Sequence, residues 1–335
     1  MSPRVSVGLP VYNGENFVAE AIQSILNQDF EDFELIITDN ASTDETEEIC
    51  HRFAVRDHRI RYVRNDHNLG AATNYNRAFD LSLGEFFKWS AHDDFLSQNF
   101  LREAVRVLEQ DPEAVIAYGK LEYVDENSEL IPRVGDRDPN VSVRERIFPD
   151  MTDMAASKRF RMLVDAGGSD NAMFGIMRRS ALAKTSLHRK YYMSDRALLV
   201  EMAMLGKFVR VPGIVLYNRD HPGRSTKLDN KLARSVWINP AIRNDRCFEH
   251  WSLLLHQIEI AYHYRGRAPL HSTLFYLACW ACRPFRIGCY ILEMIGVVSP
   301  SMRRVLGRKA WIIVNAVRGR VEDHTAKFGG QGPAY

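Results

Sequence analysis

The residues of this chain whose types and spacing could do chemistry are, first of all, aspartates that follow predicted strands. Asp39 and Asp44 come after one short apolar run, and the adjacent pair Asp93 and Asp94 comes after another. Carboxylates gathered at one edge of a sheet repel each other unless a cation, a donor-rich ligand or protonation relieves the repulsion. A divalent metal relieves it most simply, and Mg²⁺ or Mn²⁺ often joins one or two carboxylates to substrate phosphates. The pattern predicts such a metal and a phosphorylated substrate, although any single aspartate here is also typical of a helix cap or a turn.

The elements that must position these aspartates alternate between strands and helices. Residues 17–26 and 71–83 show helical apolar spacing, and residues 43–56 form another predicted helix with Ser42 and Glu45 as a capping box. Predicted strands lie at residues 5–9, 33–38, 60–63 and 85–90. This alternation predicts an α/β fold with a mostly parallel central sheet flanked by helices. Ligands bind beyond the carboxyl ends of the strands in such sheets, and here those ends are polar or acidic.

The later part of the chain is less regular. Residues 133–155 carry charges and turn formers with little periodicity, which predicts a long surface loop. Residues 194–205 then predict a helix with Ser194 as its N-cap. Two short strands, at residues 208–211 and 214–217, are expected to follow it.

The composition is that of an ordinary globular protein. The 335 residues are 46% hydrophobic and 26% charged, which excludes collagen-like, mucin-like and wholly disordered classes. Lys and Arg number 44 against 42 Asp and Glu, and a net charge of +2 gives no reason to expect a nucleic-acid partner. Five cysteines, an odd number clustered towards the C-terminus, favour a reducing compartment. Because the first residues also lack the apolar stretch of a signal peptide, a cytoplasmic location is expected.

The C-terminal part differs in charge from the rest. Residues 241–335 hold 13 Lys and Arg against 6 Asp and Glu, a net charge of +7. Apolar stretches at residues 272–282 and 287–298 predict helices, each too short to span a bilayer. Apolar helices in a basic region suit either packing against the rest of the protein or docking onto an anionic membrane surface, here the inner face.

Five short segments of the first half of the chain carry a recognisable pattern. They are residues 9–15 (Leu-Pro-Val-Tyr-Asn-Gly-Glu), 24–28 (Ser-Ile-Leu-Asn-Gln), 39–44 (Asp-Asn-Ala-Ser-Thr-Asp), 68–76 (opening with Asn-Leu-Gly) and 92–94 (His-Asp-Asp). In this order they resemble the family 2 glycosyltransferases of the GT-A fold, which are inverting enzymes with nucleotide-sugar donors. The resemblance runs from about residue 5 to residue 221. One departure is Ala91, which stands where the family commonly has a further Asp. It implies a metal site with one carboxylate ligand fewer than is usual in the family.

The resemblance assigns the nucleotide to the ends of the first two strands. The positions that match are Pro10, Tyr12, Glu15, Asp39 and Asp44. Asp39 would accept an N–H of the base, since a carboxylate can read a donor edge. Tyr12 would pack on a planar ring, with core packing as its structural alternative.

The resemblance also implies the metal site and the catalytic base. Asp93 would bind the metal, Mg²⁺ or Mn²⁺, and Asp94 would help to hold ribose or acceptor. Arg219 and His221 resemble the family's Arg-x-His stretch and would contact diphosphate or metal. Asp195, in the first turn of a predicted helix, would be the general base, and the helix N-terminus should favour its ionised form.

Two further features bear on the acceptor. Asp170 and Asn171 precede a predicted strand at residues 172–177, in the region where the family shapes its acceptor pocket. Trp89 ends the strand before the acid pair, where it could either stack on a sugar or serve the core.

These observations predict three parts of the chain. Residues 1–228 form the GT-A catalytic domain, residues 229–328 a helical C-terminal region that packs on it or docks on a membrane, and residues 329–335 a flexible tail. The expected function is inverting transfer of a sugar, most simply from a UDP-sugar, to a hydroxyl of a glycan or lipid-linked acceptor. The alternatives are a sugar nucleotidyltransferase and a sugar-nucleotide-binding protein without turnover.

Overall fold

The computed structural model describes residues 2–131, 151–152, 154–166, 170–228, 231–243 and 247–298. The strands within these ranges are β1 Val5–Val11, β2 Phe33–Asp39, β3 Ile60–Arg64, β4 Phe86–Trp89, β5 Phe95–Leu96, β6 Ala114–Val124, β7 Ile176–Arg178 and β8 Lys207–Arg219. They form one sheet in the order β3-β2-β1-β4-β7-β6-β8-β5.

Most neighbouring strands of the sheet are parallel. Strand β1 pairs in parallel with β2 and β4, β2 with β3, and β6 with β8. Strand β7 runs antiparallel between β4 and β6, and β5 runs antiparallel to β8 at the edge. The predicted α/β fold with a mostly parallel sheet is therefore confirmed.

Helices cover the sheet and extend beyond it. In chain order they are α1 Val18–Leu26, α2 Thr46–Arg56, α3 Ala71–Asp80, α4 Phe100–Gln110, α5 Ala156–Ala166, α6 Asp170–Met173, α7 Arg179–Leu182, α8 Ser194–Leu205, α9 Lys231–Ile238, α10 Glu249–His263, α11 Leu270–Ala281 and α12 Pro284–Val298. Helix α1 buries Val18, Ala21, Ile22 and Ile25, which recur on one helical face. Strand β1 is buried along its whole length, as expected of a parallel strand covered on both faces.

Four local predictions need correction. Helix α2 begins at Thr46, and the predicted capping box does not form, because the hydroxyl of Ser42 is bonded to Asp39; Asp44 instead accepts from the N–H of Thr46 at 3.1 Å. Ser194 is the first residue of α8 rather than its N-cap, and Met193 precedes it in a left-handed conformation with φ 79°. The two strands predicted after α8 form the single strand β8. The strand predicted at residues 172–177 is divided between α6 and β7.

The described C-terminal helices pack on the part of the chain that contains the sheet. Leu253 and Leu277, from α10 and α11, belong to the same buried cluster as Phe208 of β8. Near the start of α3, a Cβ on Gly70 would lie 2.4 Å from the carbonyl oxygen of Ile238, so α9 ends against a residue that must be glycine. No helix among the residues that the structure describes is long and apolar enough to cross a membrane. The predicted boundary at residue 228 stays a prediction, and the tail at 329–335 and most of the loop predicted at 133–155 lie outside the described residues.

Candidate active site

The predicted metal residues come together where the edge strand β5 meets β8. Phe95 of β5 pairs antiparallel with Tyr217 of β8, so the residues just before Phe95 face those just after Tyr217. As a result, Nε2 of His221 lies 3.0 Å from Oδ2 of Asp93. Both side chains are largely buried, with exposed fractions of 11% and 18%.

This pair fits a divalent cation. Two ligand atoms on adjacent octahedral positions, each about 2.1 Å from a metal, lie about 3 Å apart. An oxygen and a nitrogen suit Mn²⁺, and Mg²⁺ accepts one or two protein carboxylates with substrate phosphates completing its shell. Among the residues that the structure describes, no group of three or more His, Cys, Asp or Glu could hold a metal ion. A cation at Asp93 and His221 would therefore depend on the substrate for further ligands.

Asp94 is held by the protein rather than exposed to the site. Its carboxylate accepts hydrogen bonds from the side-chain amide of Asn218, at 3.0 and 2.9 Å, and from the backbone N–H of Arg219 at 3.0 Å. Burial and the neighbouring charge of Asp93 nevertheless raise the pKa of Asp94. Burial would also raise the pKa of Asp93, but His92 and His221 outweigh it and the pKa is lowered. The two adjacent carboxyls thus differ in their affinity for a proton.

Arg219 is a buried anchor of this corner, with only 1% of its surface exposed. Its Nε donates to the carbonyl oxygen of Asp93 at 3.1 Å, and its other nitrogens donate to the turn at residues 125–128 and to the carboxylate of Glu20. The guanidinium also lies over the ring of Phe17, 4.7 Å from its centre. These partners make Arg219 a positioning residue for Asp93, and its contact with a diphosphate stays a prediction.

The loop between β1 and α1 connects the two groups of acids. At one end, the backbone N–H of Asn13 donates to Oγ of Ser42 at 2.9 Å. In the middle, a Cβ on Gly14 would lie 2.6 Å from the ring of His92, so this histidine packs directly on the loop. At the other end, the ring of Phe17 lies 4.8 Å from that of His221. The loop therefore spans from the end of β2 to the Asp93 corner.

Asp39 lies completely buried at the end of β2, bonded to four protein donors. Oδ1 accepts from the backbone N–H and the hydroxyl of Ser42, at 2.9 and 2.6 Å. Oδ2 accepts from the hydroxyl of Tyr62 at 2.6 Å and from Arg64 at 2.7 Å. Because a carboxylate has about four acceptor positions, a base N–H at Asp39 would have to share one of them. The predicted base contact stays a prediction.

Glu15 and Asp44 tie the first two loops to each other. The N–H of Glu15 donates to Asp44 at 3.1 Å, and the N–H of Glu45 donates to the carboxylate of Glu15 at 3.0 Å. Pro10 is buried within β1, whereas Tyr12, just beyond the strand, keeps 40% of its surface exposed. The exposure of Tyr12 argues against its core-packing alternative and leaves its ring available for stacking.

The residues following β3 are held by an asparagine network that the sequence patterns did not indicate. The Asn40 amide donates to Asn68 at 2.8 Å, while the Asn65 amide donates to both Asn40 and Asn74, at 2.9 and 3.0 Å. The Asn74 amide donates to the carbonyl of Thr38 at 2.7 Å. This network fixes the 68–76 segment against the end of β2.

Asp195 lies in the first turn of α8, at the end of a tightly bonded loop. Burial raises the pKa of Tyr75 of α3, and the charges of Asp93, Asp94 and Asp195 raise it further. Nothing in the sequence patterns pointed to Tyr75, since its aromatic ring at helical spacing is typical of core packing.

The loop before Asp195 is fixed by residues distant in sequence, among them His256 of α10. The hydroxyl of Tyr191 lies 2.8 Å from Nδ1 of His256, and the hydroxyl of Ser186 lies 3.0 Å from its Nε2. The N–H of Ser186 donates to the carboxylate of Glu201 at 2.6 Å. A helix of the C-terminal region therefore contributes to holding the loop that presents Asp195.

Of the two roles predicted for Trp89, stacking on a sugar or packing in the core, the structure shows core packing. Its side chain is fully buried and its indole N–H donates to the carbonyl of Tyr75 at 2.9 Å, so it supports the site from the core. The backbone of Asp170 and Asn171 lies in α6, and their side chains lie outside the described part of the structure.

Comparison with known families decides the relationship. A family model described as glycosyl transferase family 2 matches residues 6–184, more than half of the chain. The chain belongs to this family. The resemblance predicted from the sequence segments is confirmed, and the two alternatives gain no support. The family 2 match includes Asp39 and Asp93, whereas Asp195, Arg219 and His221 lie beyond it.

Individual relatives of this family 2 glycosyltransferase match over little more than a third of its length. Glycosyltransferase GlyG of Streptococcus pneumoniae serotype 4 is 32% identical over 117 residues, which are 35% of this chain and 39% of that protein. The uncharacterized glycosyltransferase RT0329 of Rickettsia typhi is 34% identical over 128 residues, 38% of this chain and 39% of that protein. The chain therefore covers about two fifths of the length of these relatives.

A solved structure extends the likeness to most of the family 2 fold. S. aureus TarS 1–349, solved in complex with UDP-GlcNAc, superposes with a TM-score of 0.58 at 15% identity, covering 87% of this chain and 79% of that one. At such low identity the likeness shows the shared fold alone.

Proposed function

We propose that this protein transfers a sugar from a nucleotide-diphosphate donor, most simply a UDP-sugar, to a hydroxyl of a glycan or lipid-linked acceptor. The transfer inverts the configuration at the anomeric carbon. The observation that carries the proposal is the 3.0 Å contact between Nε2 of His221 and Oδ2 of Asp93, largely buried where β5 meets β8.

Asp93 and His221 would hold Mg²⁺ or Mn²⁺ together with the donor. When bound, such a cation supplies positive charge that stabilises the leaving diphosphate. The protein's own contribution is to keep the two ligand atoms together, through the β5–β8 pairing and through Arg219, which bonds the backbone of Asp93.

The nucleotide would lie across the ends of β1 and β2. The exposed ring of Tyr12 supports a stacking role. The hydrogen bonds that join Glu15 to Asp44 and Glu45 hold the two loops together, so that Pro10 and Asp39 would border the base. UDP as the nucleotide is supported by the structural neighbour TarS, which was solved in complex with UDP-GlcNAc.

Asp195 would act as the general base. Its carboxylate takes the proton of the acceptor hydroxyl while that oxygen forms a bond to the anomeric carbon and the bond to the diphosphate oxygen breaks. The first turn of α8 favours the ionised carboxylate that this step needs.

A panel of UDP-, GDP- and dTDP-sugars, each with and without Mn²⁺, tests the proposal by thermal shift. We expect a rise in Tm only when a UDP-sugar and Mn²⁺ are both present, since the cation would bind together with the donor. A ligand at 100 times its Kd stabilises the folded state by about 2.7 kcal/mol, which is large enough to measure as a change in Tm. The anomeric configuration of the product, read by NMR, tests inversion. The proposal would be contradicted if none of the donors gave a metal-dependent change in Tm.

A further inference from the structure

The last two described helices, α11 and α12, have one face against the protein and another exposed to solvent. Leu277, Trp280 and Tyr290 are buried, at 2%, 1% and 7% exposure, so the inner face is part of the core. Helix α11 packs on α5 and α10, and α12 packs on α10. This packing leaves the opposite faces of both helices available to a partner.

The exposed side of this helix pair is apolar. Phe275, Phe285, Ile287, Ile291 and Met294 are between 42% and 72% exposed, and we call these five residues the outer helix face. They are five of the thirteen exposed large apolar side chains of the described residues, yet they fall within twenty positions of the chain. Ile287, Ile291 and Met294 also share one side of α12 by their spacing. Such a concentration of exposed apolar side chains marks an interaction site.

Residues 270–298 hold few charged side chains, and one of their two arginines is ion-paired with Asp165. The only acid of residues 270–298 is Glu293, which is buried and bonded to Lys231 and His250. Two arginines belong to the same stretch: Arg283 is half exposed beside Asp165, and Arg286 lies over the ring of Trp280 at 4.0 Å. The twenty residues from 301 to 320 then add six basic residues and no acidic ones.

We propose that the outer helix face docks this protein onto an anionic lipid bilayer. Its apolar side chains would enter the headgroup region while the arginines contact lipid phosphates, as in interfacial amphipathic helices. A second copy of the chain is the less suitable occupant, because residues 241–335 carry a net charge of +7 and two copies would repel each other. The basic segment after residue 298 is unsuitable for the same reason. The inference goes beyond the transfer chemistry, so its failure would leave the donor test untouched.

Co-sedimentation of the full chain with vesicles tests the proposal. We expect binding to vesicles of phosphatidylcholine mixed with phosphatidylglycerol, weak binding to phosphatidylcholine alone, and release as salt shortens the Debye length from about 30 Å at 0.01 M to about 10 Å at 0.1 M. Ile291→Glu and Phe275→Glu should each weaken binding about tenfold or more, since each removes a large apolar group from the bilayer.

The matched controls are Val55→Glu and Leu83→Glu, which change exposed apolar residues of α2 and of the turn after α3. They should bind as the unchanged chain does. All four variants should keep their Tm, because each replaced side chain is exposed. No binding to phosphatidylglycerol vesicles at low salt would overturn the proposal, and so would an equal loss in controls and test variants. A dimer in sedimentation analysis that Ile291→Glu dissociates, without lipid binding, would overturn it in favour of a second copy.

Discussion

Asp93 and His221 are 128 positions apart in the chain, yet one hydrogen-bond distance separates their side chains. Neither residue would bind a cation well alone, because one oxygen or one nitrogen leaves most of a metal's coordination positions to water. Their joint placement depends on Arg219, which was expected to contact diphosphate or metal, and on Asn218, for which the sequence predicted nothing; both bond to the Asp93–Asp94 segment.

Asp93→Asn should remove most of the transfer activity. The amide keeps the shape of the carboxylate but lacks its charge, and losing several kcal/mol of charge stabilisation corresponds to about 100-fold or more in rate. The Mn²⁺-dependent thermal shift should disappear with it. The control is Asp66→Asn, an exposed acid of the loop after β3, which should retain both. An Asp93→Asn variant with an unchanged Mn²⁺ response would show that the cation lies elsewhere.

Asp195→Asn should separate binding from chemistry. A general base contributes about 10²- to 10⁴-fold to rate, so transfer should fall by that factor while the affinity for the donor stays the same. Isothermal titration with the donor and an initial-rate assay measure the two quantities. Asp80→Asn, at the exposed end of α3, is the charge-matched control. Full activity in Asp195→Asn would exclude this residue as the base.

At the scale of elements, the loop at residues 186–193 depends on α10. His256→Leu keeps roughly the volume of the side chain but leaves the hydroxyl of Tyr191 without its partner, at a cost of about 1–3 kcal/mol, while the hydroxyl of Ser186 keeps Glu201 at 3.2 Å. We expect a lower Tm and a lower kcat with an unchanged KM for the donor, because the loop leads to Asp195.

The matched control for this prediction is His263→Gln, which changes an exposed histidine on the same helix. His256→Gln can restore one of the two hydrogen bonds and should recover part of the kcat. If His256→Leu lowers Tm but leaves kcat unchanged, the network is structural and does not position Asp195.

Helices α10 and α12 are joined by a contact that should depend on pH. Burial would lower the pKa of His250, but hydrogen bonds with Cys289 and Glu293 raise it to about 9. Burial would raise the pKa of Glu293, but His250 and Lys231 lower it to about 2. The contribution of His250 to the free energy of unfolding is complete below its unfolded-state pKa of 6.5 and is lost as pH rises through about 9. The contribution of Glu293 to the free energy of unfolding is complete above its unfolded-state pKa of 4.5 and is lost as pH falls through about 2.

Glu293→Gln should therefore destabilise the protein most between about pH 4.5 and 6.5, by about 1–3 kcal/mol. The measurement is the difference in Tm between the unchanged chain and the variant across pH 3–10. Glu259→Gln breaks an exposed ion pair of α10 with Arg189 and should have little effect at any pH. A difference for Glu293→Gln that does not vary with pH would contradict the assigned pKa shifts.

At the scale of the whole molecule, one buried hydrophobic cluster joins the sheet to the C-terminal helices. It includes Trp89 and Phe208 from the sheet together with Leu253, Leu277 and Trp280 from the C-terminal helices. Because these side chains share one core, residues 2–228 and 231–298 should unfold together. Urea unfolding followed by tryptophan fluorescence and by far-UV circular dichroism should give coincident transitions. Two separate transitions would instead support independent folding of the C-terminal helices, as the predicted boundary at residue 228 implies.

The sequence was sufficient for the elements and for the family. Local signals predicted α8 with its observed bounds and the first four strands to within two residues, because Ser194 and Gly206 mark the ends of the helix and each strand is a short run of strand-forming residues. The motifs at residues 9–15, 39–44 and 92–94 identified the family since each is a local run of residues.

The tertiary structure decided which partner each polar side chain has. Ser42 bonds to Asp39 instead of capping α2, and the buried Arg219 donates to the carbonyl oxygen of Asp93. His256 reaches the loop before Asp195 from 65 positions beyond Tyr191. Local periodicity carries no information about such pairs, because a hydrogen bond between distant residues exists only after sheet order and helix packing have brought their atoms within about 3 Å.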